Sequence, residues 1–392
     1  MGEKICVYTC ITGDYDNLRE VTKPEHGVDY YCFTNNKNLK SKTWKIVQIE
    51  NEGLDNQRLS RKIKMLGEPS VFKKYEISVW MDASVVWDKS IVEFVEKYLN
   101  EGMFAAFAHS QRSSVRDEAV ACLRLRKDTK DSILETLEFL KNEGFVDKIG
   151  LYEMTVFAKR HKDGVVRRAM ELWFEMVQKH SKRDQLSFPY AVWKTELKIE
   201  PVNLNVWDNE WFHTVKHRQN RKVEDCHVYF GNPDEDFDFD RYFIYDYKQK
   251  NGTFSFQTTI PFDVGEIEFN FAEAMGARLT HIEITPKPKS LIYHGVEDVR
   301  EEKIICTNHD VVRVFGEFHK GENLLFSVEL EWLDESELLS LIENFWLSER
   351  MVTQKSYSLE DENKRLKGEL EQIKNSRAWK LVSSAGKIIH RS

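Results

Sequence analysis

The front of the chain places its apolar residues in short dense runs separated by polar punctuation. Residues 4–12 (KICVYTCIT) form one run, and Val28 to Thr34 a second, closed by the turn pair Asn35-Asn36. Short runs rich in β-branched and aromatic residues between turn signals read as strands covered on both faces. Trp44 to Ile49, Ile77 to Met81, Phe104 to Ala108 and Met154 to Ala158 repeat the pattern. Between them, Arg58 to Met65, Ile91 to Leu99, residues 115–143 and Val165 to His180 have helical character. Strands alternating with helices predict an α/β domain with a mostly parallel central sheet.

The rhythm changes between 219 and 240, where Gln219-Asn220-Arg221-Lys222 and Asn232-Pro233-Asp234-Glu235-Asp236 punctuate the chain. Beyond it come short alternating strands without helices, such as Phe254 to Thr258, Glu266 to Phe271 and Leu324 to Leu330. These predict a β-sandwich. The expected division is 1–222, 223–335 and a helical tail over 336–392. In the tail Leu359, Leu366 and Ile373 recur every seven residues, with Asn363 and Leu370 between them. That spacing predicts a short coiled coil and, through it, an oligomer. Trp379, Val382 and Ile389 share one helical face, with Arg377, Lys380, Lys387 and Arg391 around it. Such a face suits an anionic membrane surface, or packing on the protein's own domains.

Composition narrows the class. The 392 residues are 41% hydrophobic and 12% aromatic, which supports a packed core. A net charge of -8 argues against nucleic acid as a partner. The six cysteines are scattered without zinc spacing, as expected of reduced core thiols in a cytoplasmic protein. No signal peptide, myristoylation motif or bilayer-length apolar run is read from the sequence.

Candidate chemistry begins at Asp82. The apolar strand Ile77 to Met81 ends in Asp82-Ala83-Ser84. A carboxylate at the carboxyl end of a strand lies where open α/β sheets bind ligands. It suits a hard cation, Mn2+ or Mg2+, holding a diphosphate; the alternative is an Asp that caps the next turn. The loop Thr9 to Asp16 follows the first strand, with Tyr15 placed to stack on a base and Asp16 to bond a ribose or base edge. No dinucleotide fingerprint or P-loop is present. Arg58, Arg61 and Lys62, on one stretch of helix, can neutralise a diphosphate or form a solvated face. Asp184-Gln185 and Glu153 can hold sugar hydroxyls or face an anomeric carbon; as an alternative they cap helices. His213 and His217, four apart, fit one side of a helical turn, and either could supply an imidazole to the metal at Asp82.

Taken together, VYTCITGDYDNL, DYYCFTNN, RLSRKIKML, SVWMDASV and RDQLSFPYAVWK resemble a glycosyltransferase-like family. It includes bacterial polysaccharide-cluster proteins and plant mucilage-related proteins. The resemblance covers roughly residues 5–217. It implies a GT-A fold related to retaining transferases of the glycogenin type. There a D-x-D motif and a later histidine hold manganese, and an Asp-Gln pair contacts the sugar. Asp82 matches the first acid and Asp184-Gln185 the pair, while Ser84 departs from the usual second acid. The scattered cysteines and the basic tail face suit the cytoplasm or the inner face of the membrane, and the resemblance implies a metal-dependent transferase. It would move a sugar from a nucleoside diphosphate sugar to a glycan or lipid-linked glycan, in bacterial surface polysaccharide synthesis. The rival reading is a non-catalytic carbohydrate-binding or scaffold protein with a degenerate transferase domain.

Overall fold

The computed structural model describes residues 4–13, 16–207, 209–214, 223–273, 276–299, 301–307, 309–334, 336–337 and 340. The chain divides into two compact units. One comprises residues 1–221 and 233–243, the other 222–232 and everything from 244 onward.

The first unit runs β1 (Ile5–Ile11), β2 (Val28–Thr34), β3 (Lys45–Gln48), α1 (Asn56–Leu66), α2 (Pro69–Phe72), β4 (Ile77–Met81), β5 (Val85–Trp87), α3 (Ile91–Tyr98), β6 (Phe104–Ala108), α4 (Val115–Arg124), α5 (Lys130–Asn142), β7 (Tyr152–Lys159), α6 (Gly164–Lys179), α7 (Asp184–Thr195), β8 (Glu200–Val202) and β9 (Phe212–Thr214). Seven strands form one sheet in the order β3-β2-β1-β4-β7-β6-β8. β1 runs parallel to β2 and β4, and β6 parallel to β8, while β7 opposes both its neighbours. The mostly parallel sheet read from the sequence is therefore present.

Its strands are apolar throughout because both faces are covered. Along β1, Cys6, Tyr8 and Cys10 pack with Trp80, Phe157, Trp173 and Phe188 on one side. Ile5, Val7 and Ile11 pack with Val79, Phe94, Phe107 and Phe212 on the other. Thr9 lies within β1 rather than on a loop, fully buried, and its hydroxyl has no hydrogen-bond partner among the described residues. The expected ligand-facing Thr9 is corrected accordingly: the strand carries its regular pairing past this residue.

α1 begins at Asp55, whose carboxylate accepts the Arg58 N–H at 2.9 Å. It ends at Gly67, with φ +69°, where an added Cβ would stand 2.2 Å from the Phe72 ring. The combination of left-handed backbone and close approach requires glycine. Gly67→Ala is expected to lower unfolding free energy by about 1–3 kcal/mol. An unchanged urea midpoint would contradict that packing.

The 233–243 segment lies across α4 and α5. Arg116 and Arg124 stack on Phe239 and Phe237 at 5.7 and 5.2 Å. Tyr242 Oη donates to the Leu123 carbonyl at 2.9 Å, and Lys130 Nζ donates to the Tyr242 carbonyl at 2.8 Å.

The second unit contains β10 (Asp225–Gly231), β11 (Tyr242–Asp246, whose first two residues belong to the first unit), β12 (Lys248–Lys250), β13 (Thr253–Thr259), β14 (Val264–Asn270), β15 (Ala277–Thr285), β16 (Ser290–His294), β17 (Val296–Val299), β18 (Glu302–Ile305), β19 (Val311–Phe318) and β20 (Asn323–Trp332). They form a five-stranded sheet, β11-β10-β14-β19-β16, and a six-stranded sheet, β12-β13-β20-β15-β18-β17. Phe269 of the first stacks on Phe326 of the second at 4.4 Å between ring centroids. The expected coiled coil (359–373) and basic amphipathic face (377–391) lie outside the described residues.

Candidate functional site

Parallel pairing brings the carboxyl ends of β1, β4, β6 and β8 to one edge of the sheet, together with the amino end of β7. Asp82 follows β4 directly and is tied to it by its N–H, which donates to the Thr155 carbonyl at 2.9 Å. Its Oδ1 accepts the Trp80 indole N–H at 2.8 Å. Its Oδ2 takes no hydrogen bond among the described residues, and the side chain is 31% exposed.

Lys64 joins Asp82 to Asp184. Its ammonium lies 2.7 Å from Asp184 Oδ2 and 3.8 Å from Asp82 Oδ1. α1 supplies Lys64, and the Tyr8 hydroxyl fixes that turn by donating to the Lys64 carbonyl at 2.6 Å. Arg61, one turn earlier, brings its Nε to 3.4 Å from the same Asp184 oxygen without making a hydrogen bond there. Asp184 opens α7, where the helix dipole favours a negative charge.

Burial alone would raise the Asp184 carboxyl; Arg61, Lys64 and Arg183 outweigh it and hold the group well below the ordinary carboxylate range. Burial pulls the Lys64 ammonium down from the ordinary lysine value, while Asp184 and Asp82 oppose that pull. The site therefore holds an ionised acid and a desolvated cation side by side, beside a second, partly exposed acid.

A closed ring of side chains continues from Asp184. Arg183 bonds the Gln185 carbonyl oxygen. Gln185 Nε2 donates to the Tyr152 carbonyl at 3.2 Å and to Glu153 Oε2 at 3.4 Å. Glu153 Oε1 lies 3.3 Å from His109 Nε2. Arg112 Nη2 stands 2.8 Å from that nitrogen, and its Nε donates to Glu118 Oε2 at 2.8 Å. Glu118 Oε1 returns to Arg183 Nε at 3.2 Å. Burial and the nearby Glu118 push the Glu153 carboxyl up. Burial and Arg112 bring the His109 imidazole down to about 4.

The fold thus gathers Asp82, Arg61, Asp184, Gln185 and Glu153. Arg58 and Lys62 point elsewhere. Arg58 donates to the carbonyls of Val177 and His180 at the end of α6, and Lys62 pairs with Glu52. Asp16 is buried, and its Oδ1 accepts the N–H of Asn17 at 2.8 Å. Ser84 is buried beside Asp82 and makes no side-chain hydrogen bond among the described residues. His213 corrects the helical reading of the two histidines: it lies on strand β9, opposite Val86, and its imidazole bonds Asp88 at 2.7 Å. Tyr15 and His217 lie outside the described residues.

Lys64, His109, Arg112, Glu118 and Arg183 are the residues that pattern reading did not select. Lys64 carried a signal, since it sits between Ile63 and Met65 on the buried side of α1. His109 and Arg112 carried only their place just beyond a strand.

The model of the TOD1/MUCI70 glycosyltransferase-like domain matches residues 2–221. A probable hexosyltransferase, MUCI70 of Arabidopsis thaliana, is 26% identical over 196 residues, which is 47% of this chain and 32% of that protein. The chain thus spans about a third of that relative's length. The apo structure of the WbbM bifunctional glycosyltransferase shares 10% identity, covering 52% of this chain and 39% of its own, with a TM-score of 0.32. At that score the likeness decides nothing about the fold. The family match spans more than half of the chain and contains the whole Asp82–Lys64–Asp184 cluster, so the chain belongs to the TOD1/MUCI70 glycosyltransferase-like domain family.

Proposed function

We propose that this chain is a glycosyltransferase that takes a hexose from a nucleoside diphosphate sugar and delivers it to a glycan or lipid-linked glycan. The observation that carries the reading is Lys64 bridging Asp82 and Asp184 at the ligand-binding edge of the sheet. In this reading the donor sugar lies against Asp184, and its diphosphate faces Arg61 and Asp82. Arg61 and Lys64 stabilise the negative charge that develops on the leaving diphosphate. Glu153 stands on the neighbouring strand to meet a sugar or acceptor hydroxyl.

A divalent ion, Mn2+ or Mg2+, fits the free oxygen of Asp82. Such ions are held by one or two carboxylates plus substrate phosphates. Among the described residues no three His, Cys, Asp or Glu side chains gather, so most ligands would come from the donor. Asp82 would hold the ion with Ser84 beside it. His217 is the proposed imidazole ligand; it follows, by three residues, Thr214, which pairs with Val85 next to Ser84. Bound there, the ion would supply further charge neutralisation to the diphosphate.

The reading extends to a β-sandwich second unit, a coiled-coil tail that oligomerises the chain, and cytoplasmic work at the inner membrane face in bacterial polysaccharide synthesis. No described helix is long and apolar enough to cross a membrane. Ser84 in place of a second acid favours the alternative, a non-catalytic glycan-binding protein. A thermal-shift series with nucleoside diphosphates separates the two. The transferase reading expects Mn2+-dependent stabilisation that Asp82→Asn removes, together with turnover of the donor. Equal shifts with and without Mn2+, and no turnover of any nucleoside diphosphate hexose, would leave the alternative standing.

A further inference from the structure

The ring through His109, Arg112, Glu118, Arg183, Gln185 and Glu153 is closed, largely buried and drawn from four separate stretches of chain. Its members come from the end of β6, from α4, from the start of β7 and from the start of α7. The start of α7 is the part that matters to the site, because it carries Asp184. That start has no side-chain cap: Arg183 occupies the cap position and its side chain bonds Gln185 and Glu118 instead. An uncapped helix terminus leaves orphan N–H groups and frays readily. Here the side chains on either side of Asp184 are both ring members.

We propose that His109, Arg112 and Glu118 are positioning residues that hold the first turn of α7, and with it Asp184, through this ring. His109 is the keystone because it faces two ways. Its Nδ1 accepts the backbone N–H groups of Gln111 and Arg112 at 3.1 and 3.2 Å. Its Nε2 lies 2.8 Å from Arg112 Nη2 and 3.3 Å from Glu153 Oε1, so this side of the ring meets a donor and an acceptor together. The charged groups around it are Glu153 from β7, Glu118 and Arg112 from α4 and the loop before it, and Arg183 from α7. Its depressed affinity for protons agrees with a neutral imidazole at physiological pH. Glu153 then has one oxygen on His109 and one on Gln185, and Gln185 has its amide oriented by Glu153 and Arg183 together. The purpose given to the ring, presentation of Asp184 to a donor sugar, rests on the transferase reading; the ring's mechanical role does not.

Two substitutions in the full chain divide the functions of the imidazole. Asn offers an acceptor near the position of Nδ1 and keeps the 109–112 turn, but it cannot reach Glu153. Gln can reach Glu153 with a donor. Hydrogen exchange of backbone amides 185–188 is measured against those of α6. His109→Asn is expected to speed exchange in the first turn of α7 by about tenfold while α6 is unchanged. His109→Gln is expected to restore most of the protection, and Glu118→Gln to reproduce the Asn result. In turnover, His109→Asn is expected to lower kcat with nucleoside diphosphate affinity retained. Unchanged exchange in His109→Asn, or equal acceleration in α6 and α7, would overturn the proposal. Local acceleration in α7 in a chain that turns over no donor would uphold the ring and sink the transferase reading instead.

Discussion

Replacing Lys64 with Met is expected to cost both fold and chemistry. Removing one partner of a buried ion pair leaves an uncompensated charge, an effect of about 3–5 kcal/mol. Arg61 stays 3.4 Å from Asp184, so the expected loss is at the lower end, about 3 kcal/mol. Urea unfolding of Lys64→Met at pH 7 measures it. A loss under about 1 kcal/mol would mean that Asp184 is held by the arginines alone. The double variant Lys64→Met/Asp184→Asn removes both charges and is expected to recover most of the stability. Turnover should remain abolished in both, because neither presents a cation between Asp82 and position 184. Recovery of stability together with turnover would place the chemistry elsewhere.

Acid is the second large lever. Burial depresses both His109 and His161 from 6.5 to about 4. A group with a lowered folded-state pKa contributes stability above its unfolded value and loses it as pH falls toward the folded value. Each histidine therefore withdraws stability between about pH 6.5 and 4. At 1.36 kcal/mol per pKa unit, and discounted for the solvent that still reaches these rings, each contributes on the order of 1–2 kcal/mol. Glu153 acts in the opposite sense: its raised carboxyl contributes stability at low pH and loses it as pH rises. Asp147, whose carboxyl burial also raises, acts with Glu153, while the depressed carboxylates of Asp184, Asp29 and Glu20 act with the histidines; the balance is a net loss on acidification that begins in the histidine range. Unfolding free energies at pH 7, 6 and 5 should fall steadily. A flat profile over that interval would show that neither imidazole is held neutral by the fold.

What could be read from sequence follows from how each element is buried. β4 and its terminal Asp82 were legible because a strand covered on both faces is a continuous apolar run with a sharp end. α1 was legible as a helix but its cations were not separable. Residues 58 and 62 are four apart and share one face, whereas 61 and 64 are three apart and share another. Only the partners, Val177, His180 and Glu52 against Asp184, show which face serves the site. His213 misled because β9 has three residues, too few to show a period of two. β17 and β18, each four residues with charges inside, were hidden in the same way. The ring was illegible because the contacts that close it join residues 32 to 65 positions apart, as in Gln185 with Glu153 and Arg183 with Glu118.

The path of the chain between residues 222 and 243 bears on how the first unit can be handled as a module. Its family match ends at 221, yet its own polypeptide does not, because the chain leaves for β10 and then comes back. A fragment stopped at 221 would carry α4 and α5 without Phe237, Phe239 and Tyr242. Arg116, Arg124 and Lys130 would lose the rings and carbonyls they now engage. α4 is also the helix that bears Glu118. The first unit is thus discontinuous in sequence, and any contiguous piece that contains all of it must also contain β10 of its companion. A cut at the family boundary therefore severs part of this unit from the rest.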